Sequence, residues 1–327
     1  MKKHVFFKLA FVITSVLFCL PTLAKELRPA YNFEFPSLDG TTHSCSGSLV
    51  DFGDDGINFV TDRHCFDWAQ FDDKIQKTEI TAKSTSGPEI FAKSHLTFEY
   101  PSLFNSEKMD LVIAKVLKTS SQVRVLPIAE KSPAVGDSVT IYGYPLANSS
   151  SSVSYHEIHC KIQGQSRFTQ DIRFFGNVEK QFQDNRSIVV TTVLCDENFS
   201  FHGASGGPVL NTQNELVGYF TADYFGKFAD SSKKYANFHP LTKELIALSK
   251  QQDPQAILLE TTAHFEKQPF FEFRCENGFL VPRQTTYTLS LKNNLIDGLQ
   301  QEFDSSGNII DERIINEGRS PKALPCQ

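Results

Sequence analysis

Three residue types that can perform acyl transfer occur along the chain in the order His, Asp, Ser. His64 lies in Thr61-Asp62-Arg63-His64-Cys65, at the end of an apolar run. Asp110 heads a second apolar run, and Ser205 lies in Gly203-Ala204-Ser205-Gly206-Gly207-Pro208. In this combination Ser205 is a candidate nucleophile and His64 a candidate general base and then acid. Asp110 is the candidate for holding the imidazole tautomer.

The glycines around Ser205 are the strongest local signal. Gly203, Gly206 and Gly207 let the backbone turn sharply and let a substrate carbonyl approach the main chain. The N–H groups near such a serine can point together at a developing oxyanion. The pattern also fits the nucleophile elbow of α/β-hydrolases, but that elbow needs a helix directly after the serine. Gly206-Gly207-Pro208 would break such a helix, so an esterase of that type is the weaker alternative.

The elements that must position these residues are predicted to be strands. Between about residues 43 and 250, short apolar or alternating runs are separated by Gly, Pro, Asn and Ser, a pattern typical of all-β sandwiches and barrels. The predicted strands are Ile57–Thr61, Leu111–Val116, Ser138–Tyr144, Ser187–Leu194 and Leu216–Thr221. One helix is predicted over Leu241–Lys250, because Leu241, Leu245 and Leu248 fall at i, i+4 and i+7.

The last 75 residues are predicted to form a small β-rich module of their own. The chain then divides into a signal peptide (1–24), a main domain (25–252) and this module (253–327). Its predicted strands are Phe270–Cys275, Thr285–Leu291, Gln300–Phe303 and Ile309–Ile315, with a hairpin loop at Asp304–Asn308. Cys275 and Cys326 lie near its two ends and would staple so small a core.

The first 24 residues have the pattern of a secretory signal. Lys2, Lys3 and Lys8 precede an uncharged apolar run, Leu9–Leu20, which is too short to span a bilayer. Its removal would lower Lys+Arg from 32 to 29 against 38 Asp+Glu, a net charge of −9. So acidic a chain offers no counterion release, which disfavours nucleic acid as a partner. No later run predicts a membrane span.

Removing the signal also settles the number of cysteines, because it takes Cys19 and leaves an even set. Six cysteines in an exported chain predict disulfides and an oxidising location, secreted or periplasmic. They are Cys45, Cys65, Cys160, Cys195, Cys275 and Cys326. No pair has the short C-x-x-C spacing of a zinc or redox site. We predict no metal and no organic cofactor.

Over roughly residues 40–250 the chain resembles the chymotrypsin-like (trypsin-fold) serine proteases. The order His64, Asp110, Ser205 and the gaps of 46 and 95 residues are similar to those of that family. The segment Cys45-Ser46-Gly47-Ser48-Leu49-Val50 and the run Leu216–Thr221 resemble its accessory motifs. The resemblance implies an all-β fold of two six-stranded antiparallel barrels with a C-terminal helix. His64 and Asp110 would lie on the first barrel and Ser205 on the second, with the site between them.

The resemblance also implies roles for further residues. The backbone N–H groups of Gly203 and Ser205 would form the oxyanion hole. A Cys45–Cys65 disulfide would brace the histidine, and a Cys160–Cys195 disulfide would brace the primary specificity pocket. The pocket would be lined by Phe199, Ser200, His202, Thr221, Ala222 and Asp223.

Two departures from the family pattern indicate a branch within it. Ala204 precedes the candidate nucleophile where the animal digestive enzymes have an Asp that pairs with a newly cut N-terminus, and no activation site is visible near residues 25–45. The chain is therefore more similar to the bacterial secreted branch that includes glutamyl endopeptidases. Phe199 at the pocket base does not favour cleavage after Arg or Lys. His202 would favour an acidic residue and Asp223 a basic one, so the specificity stays open.

The resulting prediction is a secreted serine endopeptidase. It would act as a monomer on peptide or protein substrates, through an acyl-enzyme on Ser205. The alternative from another class is a catalytically silent protease fold that serves binding or adhesion, with the C-terminal module carrying the function. That alternative would normally show the loss of a triad residue, and none is lost. Whether residues 25–40 act as a propeptide, and whether the protein ends in the periplasm or the medium, stays open.

Overall fold

The structure is a computed structural model of the 327-residue chain. It describes residues 27–36, 42–53, 56–67, 78–86, 91–100, 104–106, 109–120, 123–145, 154–173, 183–196, 201–223, 228, 230, 232, 234–255, 258, 262–293 and 295–316. The predicted signal peptide lies outside these residues, together with residues 25, 26 and 37–40 of the segment whose role as a propeptide stays open. Phe199, Ser200 and Cys326 lie outside them as well.

The first half of the chain forms a closed barrel. Its strands are β1 (Tyr31–Pro36), β2 (Thr42–Asp51), β3 (Ile57–Asp62), β4 (Thr78–Ser86), β5 (Phe91–Tyr100), β6 (Phe104–Ser106), β7 (Leu111–Thr119) and β8 (Val125–Leu126). Six of them neighbour one another in the order β1-β4-β5-β7-β3-β2, and antiparallel pairing of β1 with β2 closes the ring. Short β6 pairs with β7, and β8 pairs with β2. Closure leaves the barrel without a free edge.

A second barrel follows in the same manner. Its strands are β9 (Ser138–Gly143), β10 (His156–Arg173), β11 (Gln183–Cys195), β12 (Pro208–Asn211), β13 (Leu216–Asp223) and β14 (Lys234–Pro240). They neighbour in the order β10-β9-β12-β13-β14-β11, and β10 pairs with β11 to close the ring. The predicted fold of two six-stranded antiparallel barrels is therefore confirmed. Each strand predicted in this part of the chain lies within an observed one, except that β9 stops one residue before Tyr144.

Aromatic side chains fill the first barrel. The rings of Phe33, Phe59, Phe66 and Phe98 contact one another, and Phe59 stacks on Phe98 with ring centroids 4.4 Å apart. All four are fully buried. A buried aromatic ring removes on the order of 150–250 Å² from water, so a small barrel needs few of them to form a core.

An apolar cluster shared by the two barrels joins them. Val60 and Leu111 from the first barrel pack in one cluster with Leu210 and Tyr219 from the second. Burial of each such side chain contributes about 1.5–3 kcal/mol. This cluster holds the barrels in one relative position, and that position is what a site between them requires.

Helix α2 (Lys243–Gln252) follows the second barrel and joins that cluster through Ile246. Thr242 caps it, because its Oγ1 accepts a hydrogen bond from Leu245 N. The helix ends at Gln252, the residue at which the boundary of the main domain is predicted.

The predicted helical stripe is wrong. Leu241 is buried but precedes the helix, and Leu248 is 44% exposed. Ile246 and Ser249 are the buried helical residues instead. The cap at Thr242 starts the helix two residues later than the leucine spacing predicts, and packing of Ile246 in the cluster between the barrels selects the buried face. The Ser249 hydroxyl is accommodated there because it donates to a carbonyl one turn earlier.

Two disulfides have both partners in the described residues. Cys45–Cys65 joins β2 to the segment after β3, and Cys160–Cys195 joins residues directly opposite each other on β10 and β11. These are the two pairs that the family resemblance implies. Cys275 is also disulfide-bonded, and its predicted partner, Cys326, lies outside the described residues.

The C-terminal part is β-rich, as predicted. Its strands are β15 (Ala263–Glu276), β16 (Phe279–Lys292), β17 (Leu295–Ile296), β18 (Gly298–Phe303) and β19 (Ile309–Ile315), and each predicted strand lies within one of them. The predicted hairpin loop is a turn in which the Asp304 carboxylate accepts hydrogen bonds from Ser306 N and Asn308 N.

This C-terminal sheet is continuous with the second barrel. Ile188 of β11 pairs with Leu295 of β17, so one strand serves both the barrel and the added sheet. Tyr235 of β14 packs against Phe271 and Phe273 of β15 at ring-centroid distances of 5.7 and 4.8 Å. Its status as a separate domain stays a prediction. Among the described residues, no helix has the length and apolar character needed to cross a membrane.

Candidate active site

His64 projects from a rigid corner of the first barrel. It is the first residue of the one-turn helix α1 (His64–Asp67), which follows β3. The next residue, Cys65, is bonded to Cys45 on the neighbouring strand β2. The backbone N–H of His64 donates to Asp110 Oδ1 at 2.7 Å. The disulfide and this hydrogen bond fix the main chain at the imidazole, and the side chain stays 27% exposed.

Asp110 faces His64 from the residue before β7. Its backbone lies in the left-handed region, with φ of 52°, where Asp is better tolerated than most non-glycine residues. Its Oδ2 atom lies 2.6 Å from His64 Nδ1. Burial would raise the pKa of Asp110, but the charge and the hydrogen bonds of His64 outweigh burial and lower that pKa to about 2. The carboxylate is therefore charged at neutral pH and fixes a proton on His64 Nδ1.

The second barrel also supports Asp110. Thr221 Oγ1, on β13, donates to Asp110 Oδ2 at 2.9 Å. Two residues earlier on the same strand, the Tyr219 hydroxyl donates to the Met109 carbonyl oxygen at 2.9 Å. Thr221 is predicted to line the specificity pocket, and the structure engages its hydroxyl with the carboxylate. The acid of the first barrel is thus oriented by a strand of the second.

Ser205 lies in a tight loop, residues 201–207, which we call the serine loop. Gly203 and Gly206 adopt φ values of 90° and 78°, a region that favours glycine. Gly207 N donates to Ala204 O at 2.8 Å and closes the turn around Ser205. Within the described parts of the chain, the backbone N–H groups of Gly203 and Ser205 donate to no protein acceptor. An oxyanion hole requires two such available donors.

The serine loop is pressed against the first barrel at Gly206. A Cβ atom at this position would lie 2.2 Å from Thr61 Oγ1, 2.4 Å from Ser46 O and 2.7 Å from Asp62 N. Even an alanine is therefore too large here without a shift of the backbone. The glycine after Ser205 lets the loop of the second barrel touch the strand that leads to His64.

Ser46 ties the two barrels together with three hydrogen bonds. Its N–H donates to Ser205 O at 2.8 Å, and its hydroxyl donates to Gly203 O at 2.8 Å. The same hydroxyl oxygen accepts from Tyr144 N at 2.9 Å. Ser46 is fully buried on β2. One first-barrel residue therefore fixes the serine loop and the end of β9 at once.

A second carboxylate, Asp62, lies beside the imidazole. It is the last residue of β3 and is 0% exposed. Its Oδ2 accepts the Gly206 N–H at 2.8 Å and lies 3.8 Å from His64 Nδ1. Its Oδ1 has no hydrogen-bond partner among the described residues. Burial, and next the charge of Asp110, raise the pKa of Asp62 well above its usual value.

His239 is a buried histidine close to these carboxylates. It pairs with Tyr219 across β13 and β14, and the two rings stack with centroids 5.5 Å apart. Its Nε2 atom is buried without a hydrogen-bond partner among the described residues. Burial lowers the pKa of His239 to about 4, against a smaller opposing effect of the Asp110 charge. The imidazole is therefore neutral at neutral pH.

His239 predicts a specific loss of stability in mild acid. Between pH 6.5, where a free histidine titrates, and pH 4, the unfolded chain gains a proton that the folded chain refuses. As the pH is lowered through this window, His239 should therefore reduce the free energy of unfolding by roughly 3 kcal/mol. His239→Phe keeps a ring against Tyr219 and should remove this component. Denaturant unfolding from pH 7.5 to 4.5 measures it, and parallel curves for the two proteins would refute it.

The predicted specificity residues are only partly described. His202 is exposed at the rim of the serine loop. Ala222 and Asp223 lie on β13, where their backbones pair with Asn237 and Ala236 of β14. Phe199 and Ser200 lie outside the described residues. The described positions do not decide between an acidic and a basic preference, and the pocket stays a prediction.

The candidate site also offers a set of metal-ligand types. Ligand atoms of Asp62, His64 and Asp110 lie within 4.8 Å of one another, the one such cluster found in the described part of the chain. The contact between His64 Nδ1 and Asp110 Oδ2, at 2.6 Å, is a hydrogen bond that uses both atoms. Asp62 Oδ2 is used by the Gly206 N–H. These three atoms are thus used in hydrogen bonds, whereas Asp62 Oδ1 has no partner among the described residues, and the prediction that the site needs no metal stays a prediction.

The sequence analysis did not identify three residues of this site. Asp62 stands in the quoted histidine motif, and a carboxylate two residues before the histidine at the buried end of an apolar strand was a usable signal. Ser46 stands in the motif around Cys45, but a serine in a strand carries no such signal. His239 follows four strand residues whose burial only the structure shows.

The chain is similar to several solved protease structures at low sequence identity. Among solved structures, the chain is similar to the Rv3671c protease from M. tuberculosis in its active form, at 15% identity over 67% of this chain and 79% of that one, with a TM-score of 0.42. It is also similar to the apo MamO protease domain from Magnetospirillum magneticum (16% identity, 65% and 93% coverage, TM-score 0.38) and to Deg5 (16%, 66% and 85%, TM-score 0.39). At these identities and TM-scores they carry no argument about function. No curated protein matches the chain.

The family model of the trypsin-like peptidase domain matches residues 45–218. This segment is more than half of the 327 residues, and it begins at Cys45. It includes His64, Asp110 and Ser205 together with most of both barrels. The chain belongs to the family of trypsin-like peptidase domains.

Proposed function

We propose that the protein is a serine endopeptidase that cleaves peptide bonds with His64, Asp110 and Ser205. The observation that carries this proposal is the 2.6 Å hydrogen bond between His64 Nδ1 and the buried, charged Asp110. A histidine held in this way presents Nε2 as the basic nitrogen. Gly206, the neighbour of Ser205, contacts the strand that leads to this histidine. A histidine so oriented beside the half-buried Ser205 serves proton transfer better than it serves a silent scaffold.

In the first half of the reaction, Ser205 Oγ attacks the peptide carbonyl while its proton passes to His64 Nε2. The carbonyl oxygen becomes an oxyanion, which the available N–H groups of Gly203 and Ser205 stabilise. His64 then gives its proton to the leaving amine, and the C–N bond breaks to leave an ester on Ser205. Asp110 keeps its charge throughout and stabilises the imidazolium.

In the second half, water replaces the amine. His64 takes a proton from water, the hydroxide oxygen attacks the ester carbonyl, and the same two N–H groups stabilise the second oxyanion. Collapse of this intermediate returns the proton to Ser205 Oγ and releases the acid. No metal ion or organic cofactor enters either half.

The peptide substrate is proposed to add to β13 as a strand. β12 pairs with β13 only as far as Tyr219, so among the described residues the serine-loop side of Ala222 and Asp223 carries no pairing strand. An extended peptide can form main-chain hydrogen bonds with such an edge. This position places its scissile carbonyl next to the serine loop.

We further propose that the protein is exported and belongs to the bacterial secreted branch that includes glutamyl endopeptidases. Two disulfides within the described residues, with Cys275 bonded as well, support an oxidising location. The exposed His202 of the serine loop is the residue that would favour an acidic side chain before the scissile bond. A peptide library with Glu, Asp, Arg or Phe at that position tests this preference.

Labelling with a fluorophosphonate tests the proposed chemistry without knowledge of the substrate. Ser205 Oγ should form a bond to phosphorus as fluoride leaves and His64 takes the proton, and the phosphoryl oxygen should occupy the oxyanion hole. We expect one adduct, located at Ser205 by mass spectrometry, and none in Ser205→Ala. Failure to label a folded protein with intact disulfides would contradict the proposal and favour a silent scaffold.

A further inference from the structure

Asp62 has no role in the mechanism above, yet it lies within the same buried cluster. It faces His64 at 3.8 Å and binds the Gly206 N–H at 2.8 Å. Its side chain thus lies near both the imidazole and the backbone next to Ser205. No hydrogen bond of the triad itself makes that connection, because Asp110 bonds to His64 and Thr221.

The two carboxylates differ sharply in their hydrogen-bond donors. Asp110 accepts from His64 N, His64 Nδ1 and Thr221 Oγ1, whereas Asp62 accepts, among the described residues, from the Gly206 N–H only. Each donor stabilises a carboxylate charge, and two buried like charges beside one imidazole destabilise each other. The negative charge therefore resides on Asp110.

Of the titratable groups around Asp62, His64 favours its charged form, but burial and the Asp110 charge have larger effects in the opposite direction. Those that act on it are Asp110 from the start of β7, His64 from α1 and Tyr219 from β13. His239 of β14, which interacts with Asp110 and His64, is neutral because burial lowers its pKa. Burial and the Asp110 charge both raise the pKa of Asp62, in agreement with the donor count.

We propose that Asp62 is a positioning residue. As a neutral carboxylic acid it holds the Gly206 N–H, and so the serine loop, on β3, the strand that leads to His64. This inference rests on the proposed function. Gly206 N–H also bonds to Phe220 O, so Asp62 adds the link to the first barrel that the Phe220 bond cannot supply. The carboxyl group reaches across the gap between the barrels.

The neutrality of Asp62 matters for the base. A negative charge 3.8 Å from Nδ1 would raise the pKa of the imidazolium by about one to three units. It would also offer Nδ1–H a second acceptor on the wrong side. The uncharged acid avoids the first effect and weakens the second, so Asp110 alone orients His64.

Two substitutions separate the proton from the hydrogen bond. Asp62→Asn keeps an acceptor oxygen for Gly206 and carries no charge, whereas Asp62→Ala removes the acceptor. We would measure the second-order rate of fluorophosphonate labelling from pH 5 to 9 for wild type and both variants. NMR of imidazole-labelled histidine would give the pKa of His64 directly, and thermal unfolding would monitor the fold.

Asp62→Asn should label at a rate within a few-fold of wild type, with an unchanged pH midpoint and an unchanged His64 pKa. Asp62→Ala should label about tenfold to hundredfold more slowly at the same midpoint, because the serine loop is displaced. A His64 pKa lower by about one unit or more in Asp62→Asn would show that Asp62 is charged, and would overturn the proposal. Labelling of Asp62→Ala at the wild-type rate would also overturn it.

The NMR measurement separates this inference from the proposed function. If wild type is not labelled at all, the proposed chemistry fails. The inference about Asp62 then stands if the His64 pKa is the same in wild type and Asp62→Asn while the Gly206 amide resonance shifts in Asp62→Ala. The inference falls if the His64 pKa differs between wild type and Asp62→Asn, or if the Gly206 amide resonance does not shift in Asp62→Ala. Should Asp62→Ala not fold, the same amide measured in Asp62→Ser, which offers a shorter acceptor, takes its place.

Discussion

Replacing His64 by Ala should lower the turnover of a peptide substrate about 10⁶-fold, and Ser205→Ala should lower it by a similar factor. The two residues perform one proton-coupled step, because Ser205 Oγ is a poor nucleophile until its proton has an acceptor. The double variant should therefore be no slower than either single variant, with a residual rate from the oxyanion hole and substrate binding alone. Single-turnover kinetics on a peptide found by library screening measures all three.

The fold itself should survive both changes. His64 is partly exposed, and its Nδ1 bond can be replaced by water, while Ser205 Oγ has no hydrogen bond to a described residue. As a control, both variants should give the same denaturant unfolding curve as the wild type. A Ser205→Ala protein that kept a hundredth of the wild-type turnover would contradict the assignment of the nucleophile.

Replacing Asp110 by Asn should lower turnover about 10⁴-fold. The side-chain amide introduced by Asp110→Asn would place either an oxygen without charge or an NH₂ group against His64 Nδ1. In the second case the imidazole proton moves to Nε2, which then cannot accept the Ser205 proton. The loss should fall on kcat more than on KM, because binding of the peptide backbone to β13 does not involve Asp110.

An exposed aspartate of the same barrel gives the matched control. The Asp51 carboxylate accepts from Gly53 N in a turn, and Asn preserves that acceptor. Asp51→Asn should therefore keep wild-type turnover. Asp110→Asn with turnover within tenfold of wild type would show that Asp110 does not orient the base.

The strands around the site were predictable because they are regular. The runs at β3, β7 and β13 are short, rich in β-branched and aromatic residues and bounded by turn-forming residues. The order of His, Asp and Ser in the sequence then suffices for a family resemblance. The family model confirms that family, while the roles of the three residues stay predictions.

The parts that were not predictable depend on contacts between distant segments. The register of α2 is decided by the cap at Thr242 and by packing of Ile246 between the barrels, and neither is encoded in the leucine spacing. The link between Thr221 and Asp110 joins residues 111 positions apart. Continuity of the C-terminal sheet with β11 requires the single pair Ile188–Leu295, which no local pattern indicates.

Asp62 illustrates a different difficulty. Its type and place in the sequence were visible, but the meaning of a buried carboxylate depends on what surrounds it in space. Only the positions of Gly206, His64 and Asp110 show that it lies between the two halves of the site. Such residues are found from the geometry of the assembled barrels and not from the motif.

The hydrogen bonds of Ser46 make the candidate catalytic arrangement a property of the docked barrels. If one barrel slid by about 1 Å, the bonds to Ser205 O, Gly203 O and Tyr144 N would all lengthen together, while each barrel kept its own core. The enzyme would then be folded but latent. A ligand that bound the parted barrels more tightly than the docked ones would act as an allosteric inhibitor without entering the cleft.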